Sequence, residues 1–236
     1  MKNVIIGVVV IAIAIVFCLL LAIANFSGDR FFEKYEKLNG VMPDCPIYPL
    51  EFVNDINRKH FNNSLKIGKT DKKAGDAYAK GFLILSNETL STPSLASLTI
   101  ISHEMGHAKQ DREGNKLTSL NRLRRLGRVL GAFLLPFLIA GGLIMLLSKE
   151  LFYLGVGLAC GGALIFLIAL FVKLKTISIE KEASKFALIY LADYLNDNEV
   201  EECGKFLKDA RMTYWADFLR TLFFWTFLTK KSKFFN

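Results

Sequence analysis

Three long apolar segments divide the chain. Val4 to Ala24, Val129 to Leu147 and Leu151 to Val172 contain 21, 19 and 22 consecutive residues without a charged side chain. A helix of about 20 apolar residues is long enough to cross the hydrocarbon core of a bilayer. The pattern therefore predicts about three transmembrane helices, the last two forming a hairpin. A retained anchor is favoured for the first, because the apolar core of a cleaved signal peptide has only about 7 to 15 residues.

The polar segments between these spans carry shorter patterns. Residues 25–44 are rich in charge and end at Gly-Val-Met-Pro, which predicts a linker. Residues 50–62 have apolar positions at helical spacing and predict a helix on which His60 is exposed. A stretch rich in Lys, Gly and Asp then predicts a loop. The run GFLILS at residues 81–86 predicts a strand at a sheet edge, where an extended peptide could pair with it.

A helix that follows this strand carries the chemistry. Thr92 and Pro93 are typical of a helix N-cap and of the first helical position, and they predict a helix from Ser94 to about Asp111. The sequence HEMGH lies inside that helix at residues 103–107. It contains two of the three histidines of the chain.

The HEMGH motif predicts a metal site. His103 and His107 are four residues apart and share one helix face, so both imidazoles can reach one divalent ion. Zinc suits two imidazoles and a carboxylate, and it keeps a fourth position for a water that becomes nucleophilic near neutral pH. Glu104 lies where it can take a proton from that water. The motif therefore predicts one Zn²⁺ per chain and Glu104 as the general base.

A third ligand must come from elsewhere, because no histidine follows at the spacing of the metzincins. Glu180 and Glu182 are the early carboxylates of the polar segment after the third span, which the hairpin returns to the side of the motif helix. Glu180 shares a face with small residues that permit close packing, and Glu182 points about 160° away from it. The alternative is that both are a solvated acidic pair in the first turn of a new helix.

These motifs resemble a known family. HEMGHAKQ, a basic segment, an apolar hairpin, IEKEASKFAL and ARMTY are similar to the pattern of the bacterial neutral zinc membrane metallopeptidases: HE-x-GHA-x-Q, then E-F-D-A-S-x-x-A-L, then L-T-Y. The resemblance covers Leu85 to Tyr214. It extends more distantly to the HtpX-like and CAAX prenyl endopeptidases, which also insert membrane spans between HExxH and the ligand glutamate.

The resemblance implies a mainly α, gluzincin-like protease domain with a small strand element. It also implies peptide-bond hydrolysis, with His103, His107 and Glu180 as the zinc ligands and Glu104 as the catalytic glutamate. Lys181 stands where the family has an aromatic residue, and Glu182 stands where the family has an aspartate. Glu182 is therefore a candidate for contacting one of the zinc ligands instead of the zinc ion itself.

Peptide hydrolysis also needs a group that stabilises the negatively charged oxygen of the transition state. Arg211 and Tyr214 in ARMTY are candidates, and ordinary packing is the alternative for both. The expected partners are a peptide or protein substrate, membrane proteins included, and the lipid bilayer.

Lys and Arg are distributed unequally around the spans. Lys2 and Lys149 lie on one side, and fourteen basic residues lie on the other: Arg30, Lys34, Lys37, Lys109, Arg112, Lys116, Arg122, Arg124, Arg125, Arg128, Lys173, Lys175, Lys181 and Lys185. The positive-inside rule then predicts a multi-pass protein of the cell membrane whose zinc site faces the cytoplasm. The cluster from Arg122 to Arg128 is expected to contact anionic headgroups. It does not indicate nucleic-acid binding, since no such motif accompanies it.

Five segments follow from these predictions. They are an N-terminal anchor (1–25), a first protease part (26–128), a transmembrane hairpin (129–172), a second protease part (173–211) and an amphipathic aromatic tail (212–236). Asp217 and Arg220 oppose a fourth span, so an interfacial tail is favoured over a spanning one.

Composition limits the alternatives. The chain has 52% hydrophobic residues, a net charge of +8 and four cysteines without C-x-x-C spacing, which excludes disordered, collagenous and disulfide-framework proteins. A non-catalytic membrane scaffold or assembly subunit with a structural metal site remains an alternative, although such a site would not need Glu104. A transporter is disfavoured because HEMGH lies outside every predicted span.

Overall fold

The computed structural model describes residue 22 and residues 26–72, 75–114 and 116–222. These residues are mainly helical, with one small sheet. The elements are α1 (26–39), α2 (Pro49–Phe61), β1 (Lys66–Thr70), β2 (Ala77–Ala79), β3 (Phe82–Ser86), α3 (Asn87–Ser91), α4 (Leu95–Arg112), α5 (Lys116–Leu147), α6 (Phe152–Ala192) and α7 (Asp197–Leu222). Apart from residue 22, the predicted span Val4 to Ala24 lies outside the described residues, as does the tail beyond residue 222.

The sheet has the order β1-β3-β2, with β1 parallel and β2 antiparallel to β3. Lys80 and Gly81 join β2 to β3 with φ values of 46° and 86°, the left-handed conformations that a tight type I′ hairpin requires. The predicted strand at residues 81–86 is confirmed as β3. The prediction that it lies at an edge is wrong, because β1 and β2 form in the segment predicted to be a loop and cover both of its sides.

The linker predicted for residues 25–44 is also wrong, because α1 occupies residues 26–39. Phe31 and Leu38 of this helix are buried, and the Phe31 ring stacks on Phe206 of α7 with a centroid distance of 5.3 Å. The many charged residues of the segment lie mostly on its outer face. Its few apolar residues suffice to attach it to the core.

The predicted helices on either side of the sheet are confirmed as α2 and α4. Phe52, Val53 and Ile56 of α2 are fully buried against the core. The N-cap of α4 is Ser94 rather than the predicted Thr92, since the Ser94 hydroxyl accepts a hydrogen bond from the Ser97 amide. Most of α4 is buried, which makes it the central helix of the core.

Helices α5 and α6 form the predicted hairpin. Glycines let them approach closely: a Cβ at Gly155 would lie 2.8 Å from the Gly141 carbonyl oxygen. Among the described helices, α6 alone is long and apolar enough to cross a membrane, with a mean hydropathy of 2.5 over a window that is 22% buried. The shorter apolar stretch Pro136–Leu147 belongs to α5. Apolar side chains of both helices face outward.

Helix α6 does not end with its apolar part. It runs unbroken from Phe152 to Ala192. After Gly162, this stretch contains no proline or glycine that would end the helix. Glu180 and Glu182 therefore lie in the middle of a long helix. The alternative of a solvated acidic pair in the first turn of a new helix is wrong.

The motif helix α4 packs directly on α6. A Cβ added at Gly106 would overlap the Ala183 carbonyl oxygen and lie 3.0 Å from the carbonyl carbon. Both of these atoms belong to the backbone of α6, so neither can move without displacing the helix. Only glycine permits this separation of the two axes.

We expect Gly106→Ala to lower the thermal unfolding temperature of the detergent-solubilised protein by several degrees. Alanine gains about 1 kcal/mol of helix propensity over glycine, but overpacking at a backbone contact costs about 1 to 3 kcal/mol and here also separates two helices. The matched control is Gly204→Ala in α7, where the new Cβ would lie 3.7 Å from Leu188 side-chain atoms. That variant should unfold at or above the wild-type temperature. Equal behaviour of the two variants would contradict the close-packing argument.

Candidate metal centre

Three candidate ligands meet where α4 crosses α6. His103 and His107 come from α4, on either side of Gly106, and Glu180 comes from α6. Their exposed fractions are 6%, 5% and 0%. The structure thus brings together the two motif histidines and the nearer of the two predicted glutamates.

The donor atoms of these residues fit zinc. Glu180 Oε2 lies 3.2 Å from His103 Nε2 and 3.4 Å from His107 Nε2, and all three donors lie within 4.8 Å of one another. Tetrahedral zinc with bonds of about 2.0 to 2.1 Å holds its ligand atoms about 3.3 Å apart. The two measured separations agree with that spacing, and two imidazoles with one carboxylate are a donor set that zinc prefers.

Glu104 is buried beside these donors and is held by the sheet. Its Oε2 accepts a hydrogen bond of 2.8 Å from the Tyr78 backbone amide in β2. The Tyr78 hydroxyl donates to Asp111 at the end of α4 and accepts from the Gly81 amide, which fixes the β2–β3 hairpin to the motif helix. Burial raises the pKa of Glu104, while the two neighbouring histidines act to lower it.

The surroundings of His107 favour positive charge. Burial by itself would lower the pKa of this imidazole, but the hydrogen bond and negative charge of Glu180, together with the charge of Glu104, raise it overall. Two carboxylates around one imidazole create a negative potential. The same potential favours a bound cation.

Gln110 determines which nitrogen of His107 is protonated. Its Nε2 donates to the Ile179 carbonyl oxygen and to Glu182 Oε2, each at 2.8 Å. Both partners are acceptors, so the amide oxygen must face His107 Nδ1, 2.9 Å away. Nδ1 therefore carries a proton, which leaves Nε2 as the nitrogen that could bind a metal ion in place of its proton to Glu180.

Glu182 is linked to His107 through the side-chain amide of Gln110, whose nitrogen donates to Glu182 and whose oxygen accepts from His107. The role of Glu182 beside a metal ligand stays a prediction. The sequence analysis did not identify Gln110. Its position three residues after His107, on the same helix face, is the signal that could have revealed it.

A small cavity of about 20 Å³ adjoins the candidate ligands, enough for one water molecule. Its apolar wall includes Ile100, Phe206 and Leu207, and both Arg211 and Tyr214 of α7 line it. Burial lowers the pKa of Arg211, and the charge of Glu180 opposes that shift. The two residues predicted to stabilise the transition state are thus at the site.

His60 lies away from this centre. It is exposed on α2, as predicted, with its ring centroid 4.8 Å from that of Tyr190 and its Nε2 3.9 Å from Asp193. It has no contact with the candidate ligands that would suggest a role in metal binding.

Comparison with known proteins gives a family match over most of the chain. Residues 9–229 match the family described as "Putative neutral zinc metallopeptidase". The chain is also similar to "Putative membrane protease YugP" of Bacillus subtilis (strain 168), with 29% identity over 204 residues, which cover 85% of this chain and 86% of that protein. No solved structure matches.

Alanine substitutions should separate the roles of the two carboxylates of α6. We expect Glu180→Ala to abolish tight zinc binding, because it removes a donor, and Glu182→Ala to weaken it by about 10- to 100-fold through Gln110. Lys181→Ala, at the exposed position between them, is the control and should bind zinc normally. Zinc content and competition with a chelating dye measure both effects. Zinc loss in Glu182→Ala together with normal binding in Glu180→Ala would reverse the assignment.

Proposed function

We propose that this chain, which belongs to the neutral zinc metallopeptidase family, is a membrane-embedded zinc endopeptidase. The observation that carries the proposal is the convergence of His103 Nε2, His107 Nε2 and Glu180 Oε2 next to the buried carboxylate of Glu104. A purely structural metal site would not need Glu104, and it usually has four protein ligands instead of three. The similarity to a protein named as a membrane protease supports the same reading.

In this proposal His103, His107 and Glu180 hold one zinc ion. When bound, zinc supplies Lewis acidity, which acidifies a water molecule and polarises a carbonyl oxygen. Glu104 accepts the proton of the attacking water and delivers it to the leaving amine nitrogen. The Tyr78 amide holds the Glu104 carboxylate in position for both transfers.

Arg211 and Tyr214 are positioned to assist the transition state. Both line the cavity beside His103 and Glu180, and both side chains carry hydrogen-bond donors. Donors fixed in advance near a developing negative charge are a major source of catalysis. We assign them this role because they belong to the same helix and face the same cavity.

The substrate backbone is proposed to pair with β2 instead of β3. Strand β3 is central in the sheet, whereas β2 is an edge strand. The Tyr78 amide points away from β3, because it donates to Glu104. The outer edge of β2 therefore passes beside the proposed base, and the Tyr78 carbonyl oxygen on that edge could accept a hydrogen bond from the backbone of an extended peptide.

The apolar outer surface of the hairpin supports the proposal that the chain is embedded in a membrane. The exposed fractions of Leu146, Leu147 and Tyr153 are 82%, 82% and 86%, which is unfavourable in water and favourable in lipid. We propose that the chain crosses the bilayer about three times, with the five segments predicted from the sequence, and that the zinc site is cytoplasmic. Arg122 and Arg125, which are exposed on α5, would then meet anionic headgroups.

We expect one zinc ion per chain, and we expect single substitutions to separate zinc binding from peptide hydrolysis. His103→Ala or His107→Ala should lose tight zinc binding. Glu104→Gln should keep zinc and lose about 10²- to 10⁴-fold in the rate of peptide cleavage, because only the base is removed. Metal analysis and cleavage of casein by the purified protein measure the two properties.

The control for Glu104→Gln is Glu113→Gln, at an exposed carboxylate that caps the same helix. This variant should retain full activity. Full activity in Glu104→Gln would exclude Glu104 as the base. Zinc binding without cleavage by the wild-type protein would favour a non-catalytic scaffold.

The proposed topology predicts the labelling of single cysteines in intact cells. In a variant without the native cysteines, Glu113→Cys at the end of the motif helix should be protected from a membrane-impermeant thiol reagent, whereas Lys149→Cys in the turn between α5 and α6 should react. Permeabilisation should expose the first site as well. Reaction at residue 113 in intact cells would contradict a cytoplasmic zinc site.

A further inference from the structure

Helix α6 fixes the distance between the metal centre and the proposed bilayer. It is unbroken from Phe152 to Ala192, and its uncharged run ends at Val172, eight residues before Glu180. At 1.5 Å per residue, Glu180 lies about 12 Å beyond the end of that run along the helix axis. Tilting the helix can only reduce its height above the membrane. Because α6 supplies a candidate ligand itself, the height does not depend on a flexible joint.

Helix α7 connects the wall of the cavity to the end of the uncharged run of α6. Tyr214, which lines the cavity, has its ring centroid 5.1 Å from Nζ of Lys173, the first charged residue after the uncharged run. The next residue of α7, Trp215, packs against the cluster that contains Leu134 and Ala169 of the hairpin. Within one residue, α7 thus passes from the cavity to the apolar part of the hairpin.

Exposed apolar side chains continue almost to the site. Phe171 and Leu174 have exposed fractions of 58% and 48%, and Leu174 is only six residues from Glu180. Lys173 and Lys175 alternate with these residues, and their long side chains can reach the headgroups while their stems remain in apolar surroundings. The surface of α6 between its uncharged run and the cavity therefore suits the boundary between lipid tails and headgroups.

This height limits which polypeptides can reach the cavity. The headgroup region adds about 5 to 7 Å on each side of the hydrocarbon core, so a site at about 12 Å lies just outside it. A folded domain cannot enter such a narrow layer. A chain that leaves the bilayer in extended form covers the distance with about four residues, at 3.3 to 3.6 Å per residue.

We propose that the substrate is the juxtamembrane segment of a membrane-anchored polypeptide, cut about four to six residues from the end of its span. The inference rests on the proposed function and adds the class of substrate. Anchoring in the same bilayer delivers the segment to the cavity at the correct height.

The test places one cleavable sequence at different heights. The full-length protein is reconstituted in vesicles of phosphatidylcholine and phosphatidylglycerol together with a series of substrates. Each substrate carries one apolar helix, then a spacer, and then the same unstructured cassette derived from casein. The cassette is also assayed as a free peptide. The spacer is absent or is a helical (EAAAK) repeat of about 20 or 40 residues, which adds about 30 or 60 Å. We expect the substrate without a spacer to be cleaved at least tenfold faster than either of the others.

A flexible spacer separates height from sequence. A Gly/Ser spacer of about 20 residues can fold back to the membrane, so it should restore cleavage that the helical spacer of equal residue number abolishes. Equal cleavage at all heights, no restoration by the flexible spacer, or cleavage of the free cassette without cleavage of any anchored substrate would overturn the inference and leave the peptidase intact. Failure to cleave even the free cassette with zinc bound would instead reject the proposed function, and the inference with it.

Discussion

The candidate metal centre depends on the contact between the backbones of α4 and α6 at Gly106 and Ala183. Any side chain at residue 106 would meet the backbone of α6 and hold the two helices apart. His103 and His107 flank this glycine, and Glu180 precedes Ala183 by less than one turn. Close packing of the two axes therefore places the three donor atoms at the spacing that a tetrahedral metal ion requires.

Electrostatics explains most of the hydrogen bonds around this contact. Glu104 and Glu180 are both buried, and a buried charge is costly unless it is paired and hydrogen-bonded. The Tyr78 amide, the two imidazoles and Gln110 supply the partners that the protein itself can offer. Two buried carboxylates beside two imidazoles also favour a bound divalent cation. Metal binding and the stability of the α4–α6 crossing are thus expected to be linked.

Helix α6 combines two properties in one unbroken element. Its first part has the composition of a membrane span, and its second part supplies a buried carboxylate to the metal centre. Helix α7 repeats the combination, because Tyr214 lines the cavity and the adjacent Trp215 packs on the hairpin. The candidate metal centre is consequently built on the apolar hairpin instead of being attached to it through a linker. In the proposed topology, such a site has a fixed position relative to the lipid.

Local patterns in the sequence determined much of this protein. The i, i+4 spacing placed both histidines on one helix face, the uncharged runs defined the hairpin, and the small residues beside Glu180 indicated which carboxylate would approach the motif. Each of these signals is carried by residues within a few turns of one another. Periodicity reports such relations directly because it reflects the geometry of a single element.

Tertiary structure alone decided the remaining features. The charges of α1 concealed a helix whose few apolar residues find their partner in Phe206, and β1 and β2 are too short and too polar to be recognised before β3 pairs with them. The bonds from Tyr78 to Glu104 and from Gln110 to Glu182 join residues that are 26 and 72 positions apart. No local pattern records such bonds, because they form only when packing brings distant elements together. The sequence therefore determined which groups could bind a metal, and the packing of α4 on α6 determined how they are oriented.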